Sequence, residues 1–181
     1  MFLLRMLPQG SVGAEIGVWK GDFSARILRV VRPARLHLVD PWAFMGGEPY
    51  REARYGGKVA LDQTAMDELY EDVLRRFTRP IASGVVEVHR CLSAEAASRF
   101  PDGYFDWVYV DGNHLYQFVR RDLELFAPKV RSGGLIAGDD YGVAGWWEDG
   151  VTRAVDEFVA SGGCELVSRE THQFVLRLSR S

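Results

Sequence analysis

The chain has 181 residues, with 22 Lys and Arg against 25 Asp and Glu and a formal net charge of −3. So near a balance leaves no electrostatic footprint for nucleic acid, and no apolar run approaches the ~20 residues that span a bilayer. The length suits a single domain with a central sheet covered on both faces.

The opening stretch through Pro8 is apolar but has no signal-peptide pattern. It is expected to form a helical turn packed on the sheet edge or on a second subunit. Residues 12–16 read as a short strand carrying Glu15. The chain then turns on Gly17 and Gly21 and enters a helix beginning near Asp22 or Phe23, with Ile27, Leu28 and Val31 inward. Arg26, Arg29 and Arg32 fall at helical spacing and read as its solvated face. The glycine spacing is not the G-x-G-x-x-G of a dinucleotide site. Glu15 beside the turn would repel a diphosphate but suits a ligand whose near end is cationic.

Residues 35–40 form a second strand pattern ending in Asp40, placed to take both hydroxyls of a ribose. From 41 to 61 the chain mixes aromatics (Trp42, Phe44, Tyr50, Tyr55) with Gly46, Gly47, Pro49, Gly56 and Gly57, and reads as a lid-like insertion. Asp62 is a plausible N-cap for a helix to Phe77, with Met66, Leu69, Val73 and Leu74 in its buried stripe. Val85, Val86 and Val88 mark the third strand. The turn Cys91-Leu92-Ser93 follows, with Ser93 as cap of a short helix through Ala97. Residues 105–111 make a nearly continuous apolar fourth strand, and a helix covers 115–126. Residues 135–138 form the fifth strand, leading into Asp139-Asp140-Tyr141. A loop with Trp146 and Trp147, a helix at 151–159 and a hairpin pairing 165–168 with 173–178 complete an α/β order: a doubly wound sheet, mostly parallel with a C-terminal antiparallel hairpin. Cys91 and Cys164 lack metal or redox spacing and are expected to be buried in a reducing, cytoplasmic setting.

Asp111 ends the fourth strand and Asp139-Asp140 the fifth, so a doubly wound sheet sets all three beside Gly17. Such acids repel unless neutralised, and Mg²⁺ with oxygen ligands does this. His114 follows Asp111 by three residues, and its imidazole titrates near working pH, so it is the candidate general base; fixing the turn is its structural alternative. Asp106 lies at the opposite end of its strand. His37, His89 and His172 show no ligand spacing and are expected to serve structure.

Glu15, Gly17 and Gly21 resemble the first motif of class I S-adenosylmethionine-dependent methyltransferases, and Asp40 resembles their ribose-binding acid. The likeness runs from Val12 to about Phe158 and implies one Rossmann-like domain over residues 1–181. It places Glu15, Gly17, Gly21, Asp40, Leu92, Ser93 and Asp111 around the cofactor, with the 41–61 lid over cofactor and acceptor. Asp111-Gly112-Asn113-His114-x-Tyr116, Gly133-Gly134 and Asp139-Asp140-Tyr141 further resemble the compact, metal-dependent O-methyltransferases of the catechol and antibiotic-sugar types. That resemblance implies Mg²⁺ on Asp111, Asp139 and Asp140 and a small acceptor, a sugar or phenolic natural product, with no nucleic-acid or membrane partner. The catechol type has a basic lysine where this chain has His114, so its base chemistry departs from the pattern. A metal-independent N- or C-methyltransferase and a non-catalytic scaffold remain the alternatives. The apolar start and the aromatic loops are compatible with a homodimer.

Overall fold

In the computed structural model, which describes residues 2–48, 50–55 and 61–179, strands and helices alternate through most of the chain. Met1, and Pro49, Gly56 and Gly57 of the expected lid, lie outside the described residues. In chain order the elements are α1 (Phe2–Met6), β1 (Val12–Ile16), α2 (Asp22–Val30), β2 (Arg35–Asp40), α3 (Gln63–Arg76), α4 (Thr78–Ala82) and β3 (Val86–Arg90). They continue as α5 (Ser93–Ser98), β4 (Phe105–Val110), α6 (Tyr116–Phe126), β5 (Val130–Gly138), α7 (Gly150–Ala160), β6 (Cys164–Glu170) and β7 (Gln173–Leu178).

The seven strands form one sheet in the order β3-β2-β1-β4-β5-β7-β6. The first five run parallel, β7 pairs antiparallel with β5, and β6 with β7. This is the mostly parallel Rossmann-like sheet with a closing antiparallel hairpin that the alternation implies. The chain reverses direction across the sheet between β1 and β4, which makes a crevice at their carboxyl ends. Register sets Ile16 level with Val39 and Val110, and Val110 level with Gly138. Gly17, Asp40, Asp111 and Asp139 therefore leave the sheet along one edge.

Side chains alternate across the strands and feed a core on each face. Ala14, Ile16, Val108 and Val110 pack with Val119, Leu123 and Phe126 of α6 and Val151 and Val155 of α7. Leu36, Leu38, Trp107 and Tyr109 pack on the other face with Ile27, Met66, Val73 and the α1 residues Leu3 and Leu4. The Val, Leu, Ile, Phe and Met side chains among these each contribute about 1.5–3 kcal/mol on full burial, so cover on both faces is what lets the inner strands be apolar throughout.

Several local expectations are corrected. The fifth strand starts at Val130 rather than at 135 and takes in Gly133-Gly134, where a register shift opposite Phe105 and Trp107 absorbs the extra residues as a bulge. A short helix, α4, follows α3 despite Pro80, because proline is tolerated in a helix's first turn. Asp62 does cap α3, accepting from Ala65 N–H at 2.8 Å. Ser93 is instead the first helical residue after Leu92, and its hydroxyl donates at 2.5 Å to the buried Asp122 of α6. A buried carboxylate is the stronger acceptor and draws the hydroxyl away from the cap. Cys91 is buried but Cys164 only partly so, and both are free thiols. Among the described residues no helix is long and apolar enough to cross a membrane.

Candidate active site

At the edge made by the strand ends, Gly17 turns with φ +91°, and a Cβ there would lie 2.1 Å from the Asp111 carbonyl oxygen. Glycine is therefore demanded by the crossing of the β1 and β4 loops. Gly21, at φ +74°, is the residue before α2, and a Cβ there would meet the Phe77 ring at 2.6 Å. Both glycines compact the lip on which a ligand could rest. Beyond them Trp19 adopts φ +51°, a conformation rare for a bulky side chain. Among the described residues its buried indole N–H has no hydrogen-bond partner.

Glu15 is 1% exposed and accepts the Ser24 hydroxyl at 2.5 Å. Burial holds its carboxyl well above the usual range, against the Ser24 bond, and the nearby charges of Asp111 and Asp40 add to the rise. Asp40 is 2% exposed. Its Oδ2 accepts the backbone N–H groups of Val18 and Trp19, both at 2.9 Å, and its Oδ1 accepts Trp42 N–H at 2.7 Å and the Tyr55 hydroxyl at 2.6 Å. The structure thus uses Asp40 to hold the Gly17 loop and the start of the 41–61 segment. A ribose diol would share or take over the Oδ1 contacts.

That segment is anchored rather than loose at its described ends. Trp42 is fully buried and donates its indole N–H to the Trp19 carbonyl at 2.9 Å. Tyr50 lies in a short 3₁₀ turn, accepts Asn113 Nδ2–H at 2.8 Å and packs its ring 5.4 Å from that of Trp146. The segment therefore touches the loops that follow β4 and β5.

Three sequence-predicted residues converge beside it. Ligand atoms of Asp111, His114 and Asp140 all lie within 4.8 Å of one another. His114 Nε2 stands 2.9 Å from Asp140 Oδ2 and 3.4 Å from Asp111 Oδ1. Neither oxygen is aligned for a hydrogen bond to it, so the buried nitrogen keeps close ionic contacts only. Burial lowers the pKa of the imidazole, but its contacts with Asp111 and Asp140 outweigh this and lift it to about 9. Burial also raises Asp111, against the pull of His114. The Trp147 ring lies 4.7 Å from that of His114 and closes the outer side. Asp140 itself takes φ +61°, strain of a kind that collects at functional sites.

Asp139, predicted with this group, turns elsewhere. Its Oδ1 accepts Asp140 N–H at 3.0 Å and its Oδ2 the Tyr109 hydroxyl at 3.4 Å. Leu92 is 63% exposed beyond β3, and Ser93 is bound to Asp122. Asp106 bonds Val12 N–H and Arg131 at the opposite edge. Sequence reasoning missed Tyr55, Trp19 and Asp122; only the clustering of aromatics around 41–61 hinted at the first. Two carboxylates and an imidazole nitrogen form a donor set that divalent cations accept. The Gly17 lip, flanked by the acids Glu15 and Asp40, suits a cofactor with a cationic end and a ribose.

No curated protein matches the sequence. Among solved structures, a protein from Corynebacterium glutamicum superposes with a TM-score of 0.68 at 14% identity, over 99% of this chain and 80% of its own. An O-methyltransferase from Bacillus cereus, in complex with SAH, gives 0.65 at 15% identity, over 99% and 78%. Precorrin-6y C5,15-methyltransferase from Geobacter metallireducens gives 0.60 at 14%, over 99% and 84%. At such identities these likenesses show the fold. Residues 14–141, well over half the chain, match the family described as a methyltransferase domain, so the chain belongs to that family and is a class I S-adenosylmethionine-dependent methyltransferase.

Proposed function

We propose that the chain catalyses metal-assisted O-methylation of a small hydroxylated acceptor, a sugar or a phenolic natural product. The observation that carries this reading is the convergence of Asp111, His114 and Asp140 on one point beside the Gly17 lip. The O-methyltransferase name of the Bacillus cereus structure is in keeping with it.

S-adenosylmethionine, when bound, supplies an electrophilic methyl group on a sulfonium. The protein's part is to align that carbon with an acceptor oxygen and to take the oxygen's proton. Glu15 and the Gly17 lip face the cationic end, Asp40 the ribose, and Leu92, Ser93 and Asp111 the rest of the cofactor. A hard divalent cation on Asp111 and Asp140 would supply Lewis acidity to the acceptor hydroxyl. His114, beside both carboxylates, would be the group to take the hydroxyl proton if those carboxylates held such a cation. Trp146 and Trp147 offer faces for an acceptor ring, with Tyr50 packed against Trp146 at its margin.

A second reading draws on the same contact. The imidazolium of His114 can itself balance Asp111 and Asp140, which would suit a metal-independent N- or C-methyltransferase.

Calorimetric titration with S-adenosylmethionine and S-adenosylhomocysteine, with and without Mg²⁺, separates these readings. Wild type should bind both cofactor forms and Mg²⁺, Asp40→Ala should lose the cofactor, and Asp140→Asn should lose Mg²⁺ alone. Cofactor binding with no Mg²⁺ binding, and turnover unchanged by a chelator, would leave only the metal-independent reading.

A further inference from the structure

A second convergence of donors lies away from the strand-end site, inside the β2–β3 edge of the sheet. His37 of β2 pairs with Glu87 of β3, and His89 is level with Val39, so all three side chains project from the same face. His37 Nδ1 lies 2.9 Å from His89 Nε2, and the Glu87 carboxylate stands 3.7 Å from each of these nitrogens. The imidazoles are 1% and 7% exposed, while the Glu87 side chain is 54% exposed. The other ring nitrogen of His37 meets the Tyr104 hydroxyl at 3.2 Å, and Phe100 and Phe105 pack edge-on against the ring.

We propose that His37, His89 and Glu87 form a binding site for a borderline divalent ion of the Zn²⁺ class, distinct from the cation site at Asp111 and Asp140. Two imidazoles and a carboxylate are a zinc donor set, and tetrahedral ligands at 2.0–2.1 Å stand roughly 3.3 Å apart. His37 Nδ1 and His89 Nε2 stand 2.9 Å apart, and with one carboxylate oxygen of Glu87 the three ligand atoms lie within 4.8 Å of one another, so modest side-chain shifts bring the trio onto one ion. Metal ligation needs neutral rings, and both imidazoles sit buried with their ring nitrogens facing each other. In the metal-free protein one proton lies between the two facing nitrogens. Ligation requires that ring to carry its proton on its outer nitrogen instead. His37 can do so at Nε2, where the Tyr104 oxygen accepts it and fixes the tautomer.

The exposed Glu87 leaves an entry from the sheet edge and a fourth position for water. Arg35 and Arg99 oppose a cation here, although Arg99 is itself paired with Glu95. Softer nitrogen ligands favour Zn²⁺ over Mg²⁺ at this trio, whereas the oxygen-rich strand-end site favours the harder ion. The bound ion would fasten edge strand β3 to β2 three residues before Asp40, and so hold the strand that positions the cofactor acid.

The test uses chelator-stripped protein titrated with Co²⁺, whose visible bands report tetrahedral ligation, and with Zn²⁺ while following Tm. Wild type and Asp140→Asn should show the tetrahedral Co²⁺ spectrum and a Zn²⁺-dependent rise in Tm. His89→Asn should lose both, and Glu87→Gln should bind at least about tenfold more weakly. No tetrahedral band in wild type, its loss in Asp140→Asn, or its survival in His89→Asn would each overturn the proposal. Should His89→Asn not fold, Glu87→Gln decides, because an exposed carboxamide leaves the core intact; unchanged affinity there overturns the site.

Discussion

The molecule holds two trios of histidine and carboxylate whose environments drive their imidazoles in opposite directions. At the strand ends His114 faces two carboxylates, Asp111 and Asp140, which outweigh its burial and hold it protonated at neutral pH. In the β2–β3 edge His37 faces another imidazole among aromatic rings, and burial holds it neutral. The same side chain is a counter-ion in one place and a free lone pair in the other. What decides is how many charges share its pocket and whether water can reach them. The strand-end trio is partly open and oxygen-rich, as a site for chemistry requires; the edge trio, with both imidazoles buried and only Glu87 exposed, is nitrogen-rich, as a fastening requires.

The comparison breaks most visibly at Asp140. Asp140→Asn removes one of the two carboxylates and should lower Mg²⁺-dependent methyl transfer by about 10³-fold, with S-adenosylmethionine affinity within about threefold of wild type. Steady-state kinetics alongside calorimetry would read both, and a loss of cofactor affinity as large as the loss of turnover would point to a collapsed loop instead. His114→Gln should cost less, about 10²-fold in turnover. It should leave Mg²⁺ affinity within about tenfold, since both carboxylates stay. A comparable loss of Mg²⁺ binding would make His114 a ligand first and a base second.

The parallel strands, the closing hairpin and the placement of acids at one edge were legible because they rest on local pattern: short apolar runs, glycine turns and acids at the tips of β2, β4 and β5. The edge trio was not. His37 and His89 are separated by 52 residues, and only the pairing of β2 with β3 makes them neighbours, so no ligand spacing exists to be read. Asp40 shows the opposite limit. Its place at the strand tip was evident, but its hold on Val18, Trp19, Trp42 and Tyr55 depends on how two loops fold back. Ser93 misled for a related reason: a serine before a short helix reads as a cap until a buried acid on another helix claims it.

That acid gives an intermediate case between the two trios. Asp122 has one neutral partner, Ser93, and burial lifts it to about 6, opposed by that bond and by Arg121. Its folded pKa is raised, so the native state binds more protons than the unfolded chain between about pH 4 and 6. Stability therefore falls as pH rises through that window, and above it the ionised group costs about 2–3 kcal/mol. Asp122→Asn keeps an acceptor for Ser93 and cannot ionise. Urea melts should find it more stable than wild type by about that amount at pH 8, with the difference vanishing near pH 4. A variant less stable at pH 8 would mean that the charge is stabilised after all.

The finest division of roles falls at Tyr104, which meets His37 of the edge trio through both its hydroxyl and its ring. Tyr104→Phe keeps the ring that stacks on Phe100 at 5.4 Å and deletes one bond to His37, a loss of about 1 kcal/mol in metal-free stability. If His37 serves only as packing, that is the whole effect. If it ligates an ion, the missing acceptor also leaves the outer nitrogen without a partner just when it must carry the proton, and Co²⁺ affinity should fall about tenfold. The two losses are measured separately, one by urea melts with chelator present and the other by spectral titration. Equal Co²⁺ affinity in Tyr104→Phe and wild type would mean that the tautomer is set elsewhere, with His89 Nδ1 as the nitrogen that takes the proton.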